Sequence, residues 1–142
     1  MNNSTSSIVL KAFNKHFFQF LDDIMIIFNN NEKLQKSKDY FITIKNANPT
    51  LLAKVWHTYI FTPYHEEISK GDLTFFFEKD YSNDVQRMHN SDEILKFIDS
   101  ALREPLKSMD ESNMHKCVKH FQLVSELCVK YINESDKSIR KK

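Results

Sequence analysis

Three residues come closest to a recognisable chemical pattern: His115, Cys117 and His120 form an H-x-C-x-x-H string. Cys117 and His120 are three positions apart, so on a helix they share a face and present two groups that bind zinc. A zinc site needs a third and usually a fourth ligand, and no C-x-x-C or second H-x-x-x-H element lies nearby. The sequence therefore predicts a buried thiol beside surface histidines and no metal site.

A second group has the residue types of acid–base catalysis. His57, His65, Glu66 and Glu67 place imidazoles near carboxylates, which is the pairing that a general base uses. His57 follows a tryptophan that is predicted to be in the core, and His65 begins an exposed short helix. A solvated surface is the favoured interpretation, and we predict no catalytic residues, no cofactor and no enzymatic activity.

Gly71 is the only glycine of the chain. Glycine supplies the positive-φ turns and the close backbone approaches that phosphate-binding sites use. Phosphate-binding loops, dinucleotide-binding fingerprints and nucleophile elbows each need two or more glycines at set spacing, so the sequence excludes them. The exclusion does not extend to metal or acid–base sites, which depend on the spacing of other residues.

Candidate phosphate contacts lie on the second predicted helix and at the C-terminal end. The formal net charge is only +1, and the helices alternate Lys with Asp or Glu. Both features argue against a strongly basic surface for nucleic acid. Residues 134–142 are predicted to be a flexible basic tail, either simply solvated or binding an acidic surface. The candidate phosphate contacts are Lys33, Lys36, Lys137, Arg140, Lys141 and Lys142.

The cysteines and the apolar runs indicate a reducing compartment. Cys117 and Cys128 lie eleven residues apart in one predicted helix, about 16 Å along its axis, so they cannot bridge each other and should be buried thiols. The longest apolar run, residues 24–28, is too short to span a bilayer, and no signal-peptide pattern precedes it. We expect a protein that is not secreted and has no membrane span.

The spacing of apolar residues predicts an all-α protein. After a flexible segment of residues 1–7, residues 8–133 should form one compact bundle of about six or seven helices, two of them short. Pro49 should open the third helix, Pro63 should end it or begin the fourth, and Gly71 should cap the fourth helix in the left-handed conformation. The predicted helices cover about residues 8–28, 32–46, 49–60, 64–70, 72–81, 91–105 and 112–133.

The first helix carries two apolar side chains on its predicted polar side. A stripe that includes Phe13, Phe17 and Ile24 faces the core, while Phe18 and Met25, two turns apart, fall among polar residues. Two interpretations stay open: another element of the same chain covers the pair, or the pair is a partner-binding patch. Phe75, Phe76 and Phe77 are further partner-binding candidates, in a segment that we assign to a helix although a buried strand is nearly as compatible.

One long stretch resembles a known group of proteins. Residues 9–84 resemble small uncharacterised helical proteins of the nucleocytoplasmic large DNA viruses, the giant viruses of algae and amoebae. The resemblance implies a viral gene product made in the host cytoplasm and incorporated into the virion. The runs that carry it are residues 11–17, 20–24, 44–49, 54–56, 71–72 and 79–81.

These observations lead to two functional hypotheses. The first is a non-catalytic interaction or structural protein, a minor capsid or capsid-associated component whose partners are other virion proteins. The alternative is a nucleic-acid-associated or regulatory protein that acts through the lysine-rich second helix and the basic tail.

Overall fold

The computed structural model describes residues 5–28, 32–72 and 104–140, and every regular element in these ranges is helical. The predicted all-α class is therefore confirmed for this part of the chain. The count of six or seven helices stays a prediction, because residues 73–103 lie outside the described ranges. In chain order the elements are α1 (Thr5–Ile27), α2 (Glu32–Ala47), α3 (Leu51–Trp56), a π-helical turn (His57–Phe61), α4 (Thr62–Lys70), α5 (Glu104–Lys107) and α6 (Glu111–Arg140).

Helix α1 is the central element of the described bundle. It packs most extensively against α6 and also against α2 and α3. Apolar side chains recur along it at spacings of three and four, which places them on its inner side. Each fully buried aliphatic or aromatic side chain contributes roughly 1.5–3 kcal/mol to folding. The buried apolar residues of α1 are Val9, Phe13, Phe17, Phe20, Leu21 and Ile24.

An aromatic cluster joins helices α1, α2, α3 and α6. Phe17 of α1 meets Phe41 of α2 with ring centroids 5.1 Å apart and Trp56 of α3 at 6.1 Å, both nearly perpendicular. Trp56 in turn lies 4.9 Å from Phe121 of α6. Edge-to-face pairs of this kind are favourable beyond the area that they bury. Contacts between these rings therefore connect α1 with α2 and α3, and α3 with α6.

Three polar residues lie inside this core, and the sequence prediction missed them. Asn14, which the helical wheel places on the polar side of α1, is buried because α2 and the turn after it pack against that side. Ser37 and Ser125 are also buried. Ser125 Oγ accepts a hydrogen bond of 2.9 Å from the indole N–H of Trp56, so the tryptophan donor is satisfied inside the core.

Several helix ends differ from the predicted ones, and α1 already begins at Thr5, within the segment of residues 1–7 that is predicted to be flexible. Helix α3 begins at Leu51 and not at Pro49, because Asn48 Oδ1 accepts hydrogen bonds from the backbone N and the hydroxyl of Thr50 and so forms a turn first. Helix α6 continues to Arg140, beyond the predicted end near Asn133. The left-handed cap at Gly71 is confirmed, with φ 78°.

The junction between α3 and α4 contains the π-helical turn. The backbone N–H of Thr62 donates to the carbonyl of His57, five residues earlier, and Pro63 follows as the second residue of α4. Proline has no N–H to continue the α-helical ladder, and Tyr64 leaves helical geometry with φ −129°. Pro63 therefore neither ends a separate third helix nor opens an isolated fourth, but lies in a kinked, continuous run.

Candidate functional site

A groove between α1 and α2 has a volume of about 750 Å³. Two contacts hold its walls together. Lys38 Nζ of α2 lies 2.7 Å from Asp22 Oδ1 of α1, and Asn14 Nδ2 of α1 donates to the carbonyl of Pro49 at 3.0 Å. We refer to it as the α1–α2 groove; its charged and apolar lining includes Lys11, Lys15, Phe18, Lys38, Ile42 and Lys45.

An aromatic ring lines the α1–α2 groove. Phe18 is half-buried and packs edge-on against Phe17, with centroids 5.6 Å apart, so the core holds the ring in place. Ile42 of α2 lies in the same groove with 37% of its surface exposed. Together the two side chains give the groove an apolar patch that reaches solvent.

Lysines surround this apolar patch. Lys45 Nζ lies 5.4 Å from the centroid of the Phe18 ring, within the range of a cation–π interaction. Lys11 and Lys15 come from α1, one turn apart, and Lys38 comes from α2. Among the described residues that line the groove, Asp22 is the one carboxylate, so these residues together carry an excess of positive charge.

The structure separates the two residues of the predicted partner patch. Phe18 lines the groove, where Lys45 of α2 covers part of its ring. Met25 is half-buried and packs against the core. Ile26, next to it, is 75% exposed, and the sequence prediction did not single it out. Phe75, Phe76 and Phe77 lie outside the described residues.

The candidate phosphate contacts do not gather at the groove. Lys33 and Lys36 are exposed and lie on a different side of α2 from Lys38 and Lys45, by about 160° around the helix axis. The lysines of α2 therefore form two separate pairs. The side chains of Lys137 and Arg140, and the residues Lys141 and Lys142, lie outside what the structure describes.

The H-x-C-x-x-H residues have separate surroundings. Cys117 is buried and its thiol contacts Met109 Sδ at 3.4 Å, while His120 Nε2 pairs with Asp23 Oδ2 of α1 at 2.5 Å and stacks on Phe20. Within the described ranges, no group of three or more His, Cys, Asp or Glu side chains is arranged to hold a metal ion.

Both cysteines are free and buried, as predicted. Burial raises the pKa of Cys117 to about 11, with a further contribution from the charge of Asp23. Burial alone raises the pKa of Cys128 to about 12. Both side chains are therefore neutral thiols at physiological pH, which is the opposite of an activated nucleophile.

A second cavity, of about 550 Å³, lies beside α4 and α6. His65, Glu66 and Glu126 line it, and the ring of His65 tilts against Phe61, which also stacks with His57. His65 Nδ1 donates to the carbonyl of Thr62 at 3.2 Å. Burial lowers the pKa of His57, and the charge of Asp136 partly opposes this. His57 is thus half-buried, where the sequence predicts a solvated surface.

Comparison with known proteins returns no relative: no family model matches the chain, and neither a curated protein nor a solved structure is significantly similar to it. The viral resemblance of residues 9–84 stays a prediction. None of the described helices combines the length and apolar content needed to cross a bilayer.

Proposed function

We propose that the chain is a non-catalytic protein-binding module and that the α1–α2 groove is its binding surface. The observation that carries the proposal is the Phe18 ring, held by the core yet open to the groove beside exposed Ile42. An apolar anchor surrounded by charged side chains is the usual anatomy of a protein interface.

The dimensions of the α1–α2 groove support a peptide-like partner. A cavity of about 750 Å³ accommodates several side chains, and both α1 and α2 contribute to its walls. A segment lying between α1 and α2 would meet the apolar patch in the middle and lysines on both sides. Such helix-bounded grooves commonly bind a segment through one or two apolar anchors.

Site-specific photo-crosslinking on the full chain tests the proposal. A benzophenone amino acid replaces Gln19, which is exposed and lines the groove, and replaces exposed Lys119 of α6 in the control. In the cells that make the protein, position 19 should give a defined protein adduct that position 119 does not. Adducts with nucleic acid alone, or the same adducts from both positions, would contradict a protein-binding groove.

The resemblance to viral proteins adds a prediction about the partner. If the chain is a minor capsid or capsid-associated component, the adduct at position 19 should contain another virion protein. Mass spectrometry of purified virions tests this separately, and the chain's absence from the particle would reject the virion version while leaving the binding groove untouched.

A further inference from the structure

We infer that the α1–α2 groove takes an acidic segment of a partner protein, which inserts an apolar side chain against Phe18 and Ile42. The inference rests on the proposed function, since it names the chemistry of the partner at the same groove. Two observations support it: the charges of the walls and the place of Lys45 over the aromatic ring.

The walls of the groove offer positive charge that the described part of the chain leaves uncompensated. Lys38 is paired with Asp22 at 2.7 Å. Lys11, Lys15 and Lys45 form no ion pair with a carboxylate within the described residues. Acidic side chains would therefore find three ammonium groups along one groove, and opposite charges across an interface favour both encounter and correct register.

Lys45 links the charge to the apolar patch. Its ammonium group lies 5.4 Å from the centroid of the Phe18 ring, so a cation and an aromatic surface occupy adjacent positions. A segment that places an acidic residue next to an apolar one would contact both at once. A purely acidic chain would leave Phe18 and Ile42 unused, and a purely apolar one would bury the lysines without partners, which is costly.

An unbiased selection tests which chemistry the groove prefers. Random 16-residue peptides displayed on phage are selected on the full chain, and binders to the doubly reversed variant Lys15→Glu, Lys45→Glu are removed. We expect the remaining peptides to be rich in Asp and Glu around at least one Leu, Phe, Ile or Trp. Enrichment of neutral or basic peptides, or no enrichment specific to the unmodified chain, would overturn the inference.

Titration of an enriched peptide by fluorescence anisotropy gives the decisive comparison. The Lys15→Glu, Lys45→Glu variant should bind it at least about tenfold more weakly, because two favourable charge pairs become repulsive. The matched control, Lys33→Glu with Lys36→Glu, makes the same change in net charge on another side of α2 and should alter binding less than about twofold. Equal loss in both variants would indicate general charge attraction and would contradict a specific groove.

The remaining outcomes separate this inference from the proposed function. A groove that binds neutral peptides, with protein adducts still formed at position 19, would reject the acidic partner and retain the protein-binding groove. A 20-base-pair duplex DNA that binds more tightly than the peptides and loses affinity in Lys15→Glu, Lys45→Glu would reject both. An intramolecular adduct between position 19 and residues 73–103 would show that the chain itself covers the groove, which also rejects both.

Discussion

At the scale of single residues, the core depends on polar atoms as well as apolar ones. Trp56 is fully buried and its indole has one donor, which no apolar neighbour could satisfy. Ser125 provides the acceptor from α6, 69 positions away in the chain. This hydrogen bond fixes the rotation of α6 against α3, because a turn of either helix would leave the donor unpaired in the core.

Ser125→Ala removes that acceptor and leaves the indole N–H buried without a partner. We expect a loss of about 1–3 kcal/mol in the free energy of unfolding, measured by urea denaturation. Ser69→Ala is the control, since Ser69 is exposed on α4 and the better helix propensity of alanine should leave stability unchanged or slightly higher. Equal stabilities of the two variants would show that the Trp56 contact contributes nothing.

The buried thiols predict a stability that falls in alkali. In the unfolded chain each thiol ionises near its ordinary pKa of 9.0, whereas in the folded protein Cys117 and Cys128 keep their protons to about 11 and about 12. Above pH 9 the unfolded state therefore binds fewer protons, so the free energy of unfolding decreases as pH rises.

Urea denaturation at pH 8 and pH 10 measures this decrease. The variant with both cysteines replaced by alanine has lower stability at pH 8 because of lost packing, but its further loss between the two pH values should be smaller than that of the unmodified chain. An identical loss in both proteins would mean that other groups cause the alkaline effect. Alkylation of the native thiols at pH 8 should also be slow, since burial keeps both thiols protonated at that pH.

At the scale of elements, two features stabilise the C-terminal end of α4: a left-handed glycine cap and a hydrogen bond from a side chain of α6. Gly71 adopts φ 78°, and a Cβ built there would lie 3.3 Å from Val118 Cγ1. Gln122 Nε2 donates to the carbonyl of Ile68 at 2.9 Å, which satisfies an end group of the helix. The sequence predicts the left-handed cap, because glycine after a helical pattern is its usual signal, but it does not predict the neighbours on α6.

Gly71→Ala should lower the free energy of unfolding by about 1–2 kcal/mol, because a side chain at positive φ is strained and its Cβ meets Val118. Gly71→Asn adds the same Cβ but tolerates the left-handed conformation better, so it should cost less. Thermal or urea denaturation of both variants makes the comparison. If asparagine costs as much as alanine, contact with Val118 and not backbone strain determines the effect.

At the scale of the whole molecule, neighbouring residues of α1 have separate roles. Phe17 contacts aromatic rings of α2 and α3 and is 1% exposed. Phe18 is half-buried, with its outer side in the α1–α2 groove. Two consecutive residues of α1 therefore serve different purposes: Phe17 lies in the centre of the bundle, and Phe18 lies in one wall of the proposed binding surface.

Phe17→Ala should lower the free energy of unfolding by about 3–5 kcal/mol, since it removes a ring shared by three helices. Phe18→Ala should cost about 1–2 kcal/mol, because its ring keeps one side in solvent. Urea denaturation measures both. Comparable losses would place Phe18 in the core and would make Phe18→Ala unsuitable for testing the groove.

The sequence predicts well which residues form helices, but it predicts poorly which side chains of different helices contact one another. Helical spacing identifies the inner residues of α1, such as Phe13 and Ile24, because burial on one side leaves a periodic pattern. The same wheel places Asn14 on the polar side, since no local pattern reveals that α2 and Pro49 pack there. Phe18 is singled out as an apolar residue among polar ones, but its partner Lys45 is 27 positions away and no rule of local spacing connects them.

The π-helical turn has a consequence for how the chain tolerates changes in length. A π-helical turn is equivalent to an α-helix with one residue inserted, and here it lies between the buried residues Trp56 and Ile68. Deleting exposed Thr58 would remove no buried side chain and would let the turn close into an ordinary α-helix, so that α3 and α4 keep their relative orientation. In a related chain without this turn, the same packing would therefore require one residue fewer between Trp56 and Pro63, and an alignment would show a one-residue gap there.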